Sequence, residues 1–274
     1  LITTLDTNIQ FLIREELLNF QKIFKNIGSA SILMDVNNGD ILSLVSLPDF
    51  DINKRQTIDN LNFINRATKG VYELGSVFKT FTLAGGLNEG VIETKSKFKN
   101  LPKKITCAGK SISEYDNKIP ANLTAEEILI RSGNIGSVRI AQKLGEIKMK
   151  NFLDKIGLLK KIKFDLEEVG KPLPVRWGKC KLATASFGHG ITTTLLQLAK
   201  GYSIISNGGY IIEPRLVKRS KQISNKKIKI LNNGISSEIN SILRKIVTKK
   251  EGTANFANVE GYEVGGKTGT AQKI

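Results

Sequence analysis

Residues 75–90 read GSVFKTFTLAGGLNEG, an apolar segment that carries a serine near its start and a lysine three positions later. Val77, Phe81 and Ala84 recur at positions i, i+4 and i+7, the spacing of one face of an α-helix. The pattern predicts a buried helix that begins at Ser76.

A serine and a lysine in this arrangement suggest nucleophilic chemistry. Residues three apart on a helix share a face, so the Lys79 amine can sit beside the Ser76 hydroxyl. A desolvated lysine can lose its proton and act as a general base, and the helix N-terminus adds N–H groups and a positive field. The alternative is that Lys79 is a surface lysine, but Val77 and Phe78 beside it favour a buried turn.

Ser-x-x-Lys alone is a weak signal, because a lysine-rich chain produces it by chance. It also occurs at Ser96/Lys99 and at Ser224/Lys227. Only the copy at Ser76 opens an apolar helix.

Two further tripeptides follow in order, and each is unique in the chain. Ser132-Gly133-Asn134 falls between two predicted helices, where a loop can point both polar side chains inward; an ordinary helix cap is the alternative. Lys267-Thr268-Gly269 stands in GYEVGGKTGTAQKI (261–274), whose glycines and threonines predict an edge strand that another part of the chain approaches closely.

Other segments show regular patterns. SASILMDV and ILSLVSL (29–47) flank NNGD, which predicts two antiparallel strands joined by a tight turn. Residues 94–122 are predicted to be loop-like, and Thr124 with Glu127 makes a capping box for a short helix through Ile130. Further helices are predicted at 7–27, 134–144, 148–157, 194–206 and 236–249.

The composition admits a large core and is strongly basic. Of 274 residues, 40% are hydrophobic and 24% charged, which suits one large domain or two closely packed lobes. The net charge of +17 raises the alternative of a binder of nucleic acid or anionic surfaces. The densest basic cluster, residues 218–229, lacks the interleaved aromatic residues of a base-stacking platform, so we expect no nucleic-acid partner.

Cys107 and Cys180 follow no metal-ligand spacing, so we expect two free thiols, with a disulfide as the alternative in an oxidising compartment. The single histidine, His189, excludes a histidine-rich metal site and any Ser-His-Asp triad without it. We expect no metal and no cofactor.

No signal peptide or membrane-spanning apolar run is evident. The chain starts at Leu1 and stops at Ile274 in mid-pattern, as expected of an excised segment.

The three motifs in this order are the signature of serine β-lactamases and penicillin-binding proteins. Three blocks and the opening LITTLDTNIQ resemble the septal, cell-division branch of class B penicillin-binding proteins, so the resemblance covers nearly the whole chain. The blocks are NRATKGVYELGSVFK (65–79), SFGHGITTTLLQLAKGY (186–202) and EGTANFANVEGYEVGGKTGTAQK (251–273).

The chain departs from that family at a few positions. Gly133 stands where serine is usual, a change on backbone that should leave Ser132 and Asn134 in place. Leu74 stands where proline is common. The family continues past its third motif into further strands and a helix, whereas this chain ends four residues after Thr270. We therefore expect the C-terminal strands to be missing and the edge of the third motif to be uncovered.

The resemblance implies an α+β transpeptidase domain over 1–274: an antiparallel sheet flanked by helices, with an all-helical lobe roughly at 90–190. It implies that Ser76 attacks the penultimate D-Ala carbonyl of a peptidoglycan stem peptide, that Lys79 takes the proton, and that Ser132 relays it to the leaving amine. By the same resemblance, Asn134 binds the substrate amide.

For the third motif, the resemblance implies that Lys267, Thr268 and Thr270 hold the substrate carboxylate, with Gly269 in the same strand. The N–H groups of Ser76 and Thr270 form the oxyanion hole. His189 is expected to support the site rather than to catalyse. β-Lactam antibiotics should be trapped on Ser76. The parent protein is expected in the bacterial inner membrane, with this domain in the periplasm and with division proteins as partners.

Two alternatives stay open. A serine β-lactamase shares the fold but needs a second base, and the candidates Glu167 and Glu168 are followed by Val-Gly-Lys instead of the Leu-Asn pattern of class A enzymes. A non-catalytic β-lactam sensor would be acylated without cross-linking peptides.

Overall fold

Helices and short antiparallel strands follow one another in groups along the chain. The computed structural model describes residues 1–51, 53–54, 63–178, 180–218 and 228–271. The helices in these ranges are α1 (Thr7–Phe24), α2 (Phe78–Asn88), α3 (Ala125–Ile130), α4 (Asn134–Leu144), α5 (Glu146–Lys155), α6 (Lys181–Ala185), α7 (Leu195–Ser206) and α8 (Ile235–Thr248). The strands are β1 (Ser29–Met34), β2 (Ile41–Leu47), β3 (Lys97–Phe98), β4 (Lys104–Cys107), β5 (Lys110–Ser113) and β6 (Leu123–Thr124). This mixture is the α+β class.

Local signals set the helix ends. Asp6 caps α1 by accepting from the N–H groups of Asn8 and Ile9. Capping boxes open α3, at Thr124 as predicted, and α7, at Thr194. The predicted helices are confirmed, with ends that differ by at most three residues. None of the helices in the described ranges is both long and apolar enough to cross a membrane.

The predicted hairpin is confirmed: β1 pairs antiparallel with β2, with Ile32 opposite Leu44. The loop prediction for residues 94–122 is wrong, because β4 pairs with β5 and β3 pairs with β6. The β4–β5 turn consists of Ala108 and Gly109, both at positive φ. Such a turn is usually signalled by Asn-Gly or Asp-Gly, which the sequence lacks here. Residues 90–190, expected from the resemblance to form an all-helical lobe, therefore also contain the strands β3–β6.

Helix α2 is the centre of the larger core. Every residue from Phe78 to Leu87 is buried, as predicted, and α4, α5 and α8 pack around it. A 3-10 turn at Gly75–Val77 leads into the helix. The Tyr202 hydroxyl, from α7, donates to the carbonyl of Val77 at 3.0 Å and so anchors this turn to the core.

The prediction of an edge strand at 261–274 is wrong for residues 261–271, and residues 272–274 lie outside the described ranges. The segment has no strand ladder, because no described strand runs beside it. Its backbone is held instead by single contacts, such as the N–H of Gly266 to the carbonyl of Leu243 at 3.2 Å.

The prediction of two free thiols is also wrong. Cys107, at the end of β4, and Cys180, just before α6, form a disulfide with a Cα–Cα distance of 5.7 Å. A separation of 73 residues along the chain says nothing about distance in space. The fold brings the two residues within the usual range for a disulfide.

Candidate active site

Three chain segments meet backbone to backbone beside Ser76. A Cβ atom on Gly75 would lie 2.1 Å from the carbonyl oxygen of Thr270, and one on Gly188 would lie 2.1 Å from the carbonyl oxygen of Gly75. A Cβ on Gly269 would come within 2.6 Å of the Leu74 oxygen. Only residues without a side chain permit this approach. It brings the third motif to the start of the serine helix.

The Lys79 amine is buried, with only 1% of the residue exposed. Its Nζ donates to the Ser132 carbonyl at 2.5 Å, to Ser132 Oγ at 3.1 Å and to Asn134 Oδ1 at 2.7 Å. Burial holds the pKa of Lys79 well below its ordinary value, the charge of Lys267 lowers that pKa further, and the charge of Glu114 raises it. Burial therefore shifts the amine toward its neutral form, which is the form that accepts a proton.

The Ser132 side chain connects the first and third motifs by hydrogen bonds. Its buried Oγ accepts from Lys79 and, at 2.8 Å, from the Nζ of Lys267. Its φ is +54°, in the left-handed region. The Ser132 N–H donates to Leu129 O and the Gly133 N–H donates to Ile128 O, so α3 ends in a Schellman motif. Serine here occupies the position that usually holds glycine.

Asn134 is held at both ends of its amide. Its Oδ1 accepts from Lys79, and its Nδ2 donates to the carbonyl of Ser113 at 2.8 Å. The amide nitrogen has a second hydrogen, which leaves one donor for a ligand. Gly133, between the two polar residues, has φ −64° and ψ 127°, which any residue adopts. With glycine at this position, the side chains of Ser132 and Asn134 both contact the Lys79 amine.

The third motif faces a cleft of about 640 Å³, a size typical of ligand sites. Ser76, Ser132, Asn134, Thr268 and Thr270 all line it. The predicted site residues are thus brought together from three separate parts of the chain.

Within that motif, burial lowers the pKa of Lys267 to about 8. Thr268 Oγ1 donates to Thr253 Oγ1 at 2.9 Å, while Thr268, Gly269 and Thr270 are exposed. Neither the N–H of Ser76 nor that of Thr270 donates to any described backbone carbonyl, so both are available to a ligand.

The other Ser-x-x-Lys matches differ from this one. Ser96 precedes the short strand β3, and its hydroxyl accepts from the N–H of Glu93. Ser224 and Lys227 lie outside the described residues, as does most of the basic cluster at 218–229. Among the described copies, only Ser76 combines a buried helix, a buried lysine and the cleft.

Sequence reasoning missed two carboxylates at the site, Glu114 and Glu73, whereas it had named His189. Glu114 accepts from the N–H groups of Asn134 and Ile135, and the strand β5 lines the cleft beside it. His189 Nδ1 lies 3.2 Å from Glu73 Oε2 at the cleft wall, and its ring is stacked near Phe187. A short segment without periodicity carries Glu114, so no local signal indicated it.

A profile of the penicillin binding protein transpeptidase domain matches residues 29–274. The chain belongs to the penicillin-binding protein transpeptidase family. Its relatives place it among the class B members. It is 33% identical over 98% of its length to the probable peptidoglycan D,D-transpeptidase FtsI of Caulobacter vibrioides, and 31% identical over 99% to stage V sporulation protein D of Bacillus subtilis.

The transpeptidase-family fold is equally clear in three dimensions. The TP domain of penicillin-binding protein 3 from Burkholderia pseudomallei, solved in apo form, superposes with a TM-score of 0.86 at 25% identity, covering 99% of this chain and 78% of that one. The chain spans less than half the length of the two curated relatives, 46% and 44%. The α+β transpeptidase fold expected from the sequence is confirmed.

Proposed function

We propose that this transpeptidase domain forms an acyl-serine intermediate on Ser76 and cross-links peptidoglycan stem peptides as a D,D-transpeptidase. The observation that carries the proposal is the network from Lys79 through Ser132 to Lys267, which opens onto the cleft beside Ser76. A buried amine of lowered pKa next to a serine at a helix start is the arrangement that activates a hydroxyl.

Acylation follows from these groups. Ser76 Oγ attacks the penultimate D-Ala carbonyl, and its proton passes to Lys79. The oxyanion lies against the N–H groups of Ser76 and Thr270, where one such donor is worth about 3–4 kcal/mol. The bond to the terminal D-Ala then breaks, and its amine takes a proton relayed through Ser132. An amine of a neighbouring stem peptide resolves the acyl-enzyme.

Binding uses the remaining predicted residues. The free hydrogen on Asn134 Nδ2 suits a substrate carbonyl in the amide backbone. Lys267, with Thr268, Gly269 and Thr270 exposed beside it, suits the terminal carboxylate. β-Lactams, whose ring amide mimics the D-Ala-D-Ala end of the stem peptide, are expected ligands of the same cleft.

The setting of the parent protein is proposed from its relatives. Kinship with a protein named FtsI favours a role in cell division, an anchor in the inner membrane, a periplasmic position for this domain and division proteins as partners. We also propose residues 90–190 as a lobe that covers one side of the cleft, because β5, Ser132 and Asn134 lie within it.

Intact mass spectrometry after incubation with a penicillin tests the proposal. The expected result is a single adduct of the penicillin mass on Ser76, lost in Ser76→Ala and strongly slowed in Lys79→Ala at neutral pH. Ser96→Ala is the matched control and should label like the parent. An adduct that survives Ser76→Ala would refute the assignment.

The lifetime of the adduct separates this proposal from a β-lactamase. Glu167 and Glu168 are exposed and do not line the cleft, so neither is placed to activate a water molecule there. The adduct should therefore persist, and many turnovers of a chromogenic cephalosporin per protein would favour the β-lactamase instead.

A further inference from the structure

Helix α4 begins without a capping side chain of its own. Its N-cap is Gly133, and no side chain of the motif satisfies the first N–H groups. The carboxylate of Glu114 does so instead: its Oε2 accepts from the Asn134 N–H at 2.6 Å and its Oε1 accepts from the Ile135 N–H at 2.9 Å. A negative charge at a helix N-terminus also interacts favourably with the helix dipole.

The same part of the chain holds the Asn134 side chain. Ser113, the last residue of β5, accepts from Asn134 Nδ2 at 2.8 Å, while Asn134 Oδ1 accepts from Lys79. Two successive residues, Ser113 and Glu114, therefore fix the backbone and the amide of Asn134. The Asn134 amide thus connects Ser113 to the Lys79 amine.

Two bonds tether the β4–β5 hairpin to the rest of the domain. The Glu114 N–H donates to the carbonyl of Lys103 at 2.9 Å, which continues the β4–β5 ladder and ties Glu114 to the hairpin itself. The first tether is the Tyr115 hydroxyl, which donates to the carbonyl of Arg131 at 3.0 Å. The second is covalent: Cys107, at the end of β4, is bonded to Cys180. Thr184 and Gly188, which follow Cys180 in the chain, also line the cleft, so the disulfide joins two cleft-lining segments.

We propose that Glu114 is a positioning residue for acylation: it caps α4, so that Ser132 and Asn134 surround Lys79, and the Cys107–Cys180 disulfide keeps Glu114 in place. This proposal rests on the acyl-serine function proposed above. It goes beyond that function in assigning a role to a residue outside the three motifs and to a crosslink between two segments that line the cleft.

The charge of Glu114 gives the proposal an electrostatic signature. The charged groups that act on Lys79 are Lys267, from the third motif, and Glu114, from the hairpin. Tyr115, beside Glu114, has its pKa raised by burial and stays neutral. Glu114 raises the pKa of Lys79, so removing its charge should lower that pKa and extend activity to lower pH.

Acylation rates measured with a fluorescent penicillin across pH test this role. Glu114→Gln should move the acid limb of the profile to lower pH. Glu114→Ala should move it as well and slow acylation about tenfold to a hundredfold, the effect of losing a hydrogen bond to a charged group. Adding Gly133→Ser to Glu114→Ala supplies a new N-cap for α4. A side chain fits at position 133, since even with Glu114 present an added Cβ would lie 3.6 Å from its nearest neighbour, Glu114 Oε1.

The double variant Glu114→Ala/Gly133→Ser should therefore recover most of the rate without restoring the acid limb. Thermal unfolding verifies that each variant folds. If Glu114→Ala does not fold, Glu114→Gln still tests the proposal. Unchanged rates and an unchanged acid limb in both Glu114 variants would overturn it. If the parent chain itself forms no adduct on Ser76, it is the proposed function that fails.

The disulfide is tested in the same assay. Cys107→Ser/Cys180→Ser should slow acylation in the parent but add little in the Glu114→Ala background, because both changes act through one contact. A mild reductant should slow the parent equally and leave the cysteine-free variant unaffected. Additive effects of the disulfide and Glu114 would show that the disulfide does not act through Glu114.

Discussion

Ser132 meets two demands that no single residue type satisfies well. The end of α3 requires a left-handed residue, for which glycine is the usual choice. The Lys79 and Lys267 amines require a hydroxyl that accepts from both. Serine supplies the hydroxyl, but its positive φ strains the backbone. Such strain is common at functional sites.

Comparing Ser132→Gly with Ser132→Ala separates these two demands. Both variants lose the hydroxyl, so acylation should fall by about a hundredfold or more in each, the usual contribution of a positioned proton-transfer group. Only glycine relieves the positive φ, so Ser132→Gly should exceed Ser132→Ala in stability by about 1 kcal/mol. Urea unfolding and penicillin labelling measure both quantities. Equal stabilities would show that the backbone at Ser132 is unstrained.

At the scale of elements, the site depends on how closely three segments approach. The turn before α2, the loop after α6 and the third motif touch through backbone atoms of Gly75, Gly188 and Thr270. None of these contacts belongs to a strand ladder, and of the three residues only Gly75, in the 3-10 turn, lies in a helix or strand. The position of the Thr270 N–H relative to Ser76 is therefore set by glycines rather than by a hydrogen-bonded sheet among the described residues.

Gly188→Ala should disturb this approach, because the new Cβ would lie 2.1 Å from Gly75 O. A shift of about 1 Å at the reacting groups can cost about a hundredfold in rate. Gly90→Ala is the matched control: its φ is also positive, +64°, but nothing lies within 4 Å of the new Cβ. It should lose about 1 kcal/mol of stability, with acylation unchanged. Similar labelling rates in the two variants would contradict the close-approach interpretation.

At the scale of the whole molecule, folding brings together charged side chains that are far apart in the sequence. Lys79, Glu114 and Lys267 come from a helix, a hairpin and the C-terminal segment, and together they set the protonation of the site. The remaining excess of lysine, within a net charge of +17, lies mostly on the surface. A basic composition therefore accompanies a site whose two working lysines have lowered pKa values.

The pH profile of acylation should be bell-shaped for this reason. Lys79 must be neutral to accept a proton, so the rate rises as the pH passes its lowered pKa. Lys267 must be charged to hold a carboxylate, so the rate falls as the pH rises through about 8. Lys267→Arg keeps its charge at all accessible pH values and should lose the alkaline limb. An alkaline limb near pH 8 that persists in Lys267→Arg would assign it to another group.

The sequence predicted much of the fold because its signals are local. The period of residues 75–90 placed the buried helix, and Thr124 with Glu127 placed the start of α3. The order and uniqueness of the motifs led to the residues that line the cleft. The β4–β5 hairpin was missed because its turn lacks the usual residues, and the edge strand was wrongly predicted because a strand depends on a neighbour that local patterns do not contain.

By itself, then, the sequence determined the helices, the β1–β2 hairpin and the three motifs, since each depends on residues within a few positions of one another. Only the tertiary structure decided that Cys107 meets Cys180, that Glu114 caps α4, and that Ser132 lies between Lys79 and Lys267. These contacts join residues that are 20 to 135 positions apart. Such pairs meet only when packing of the core closes the intervening loops, and no local pattern records that closure.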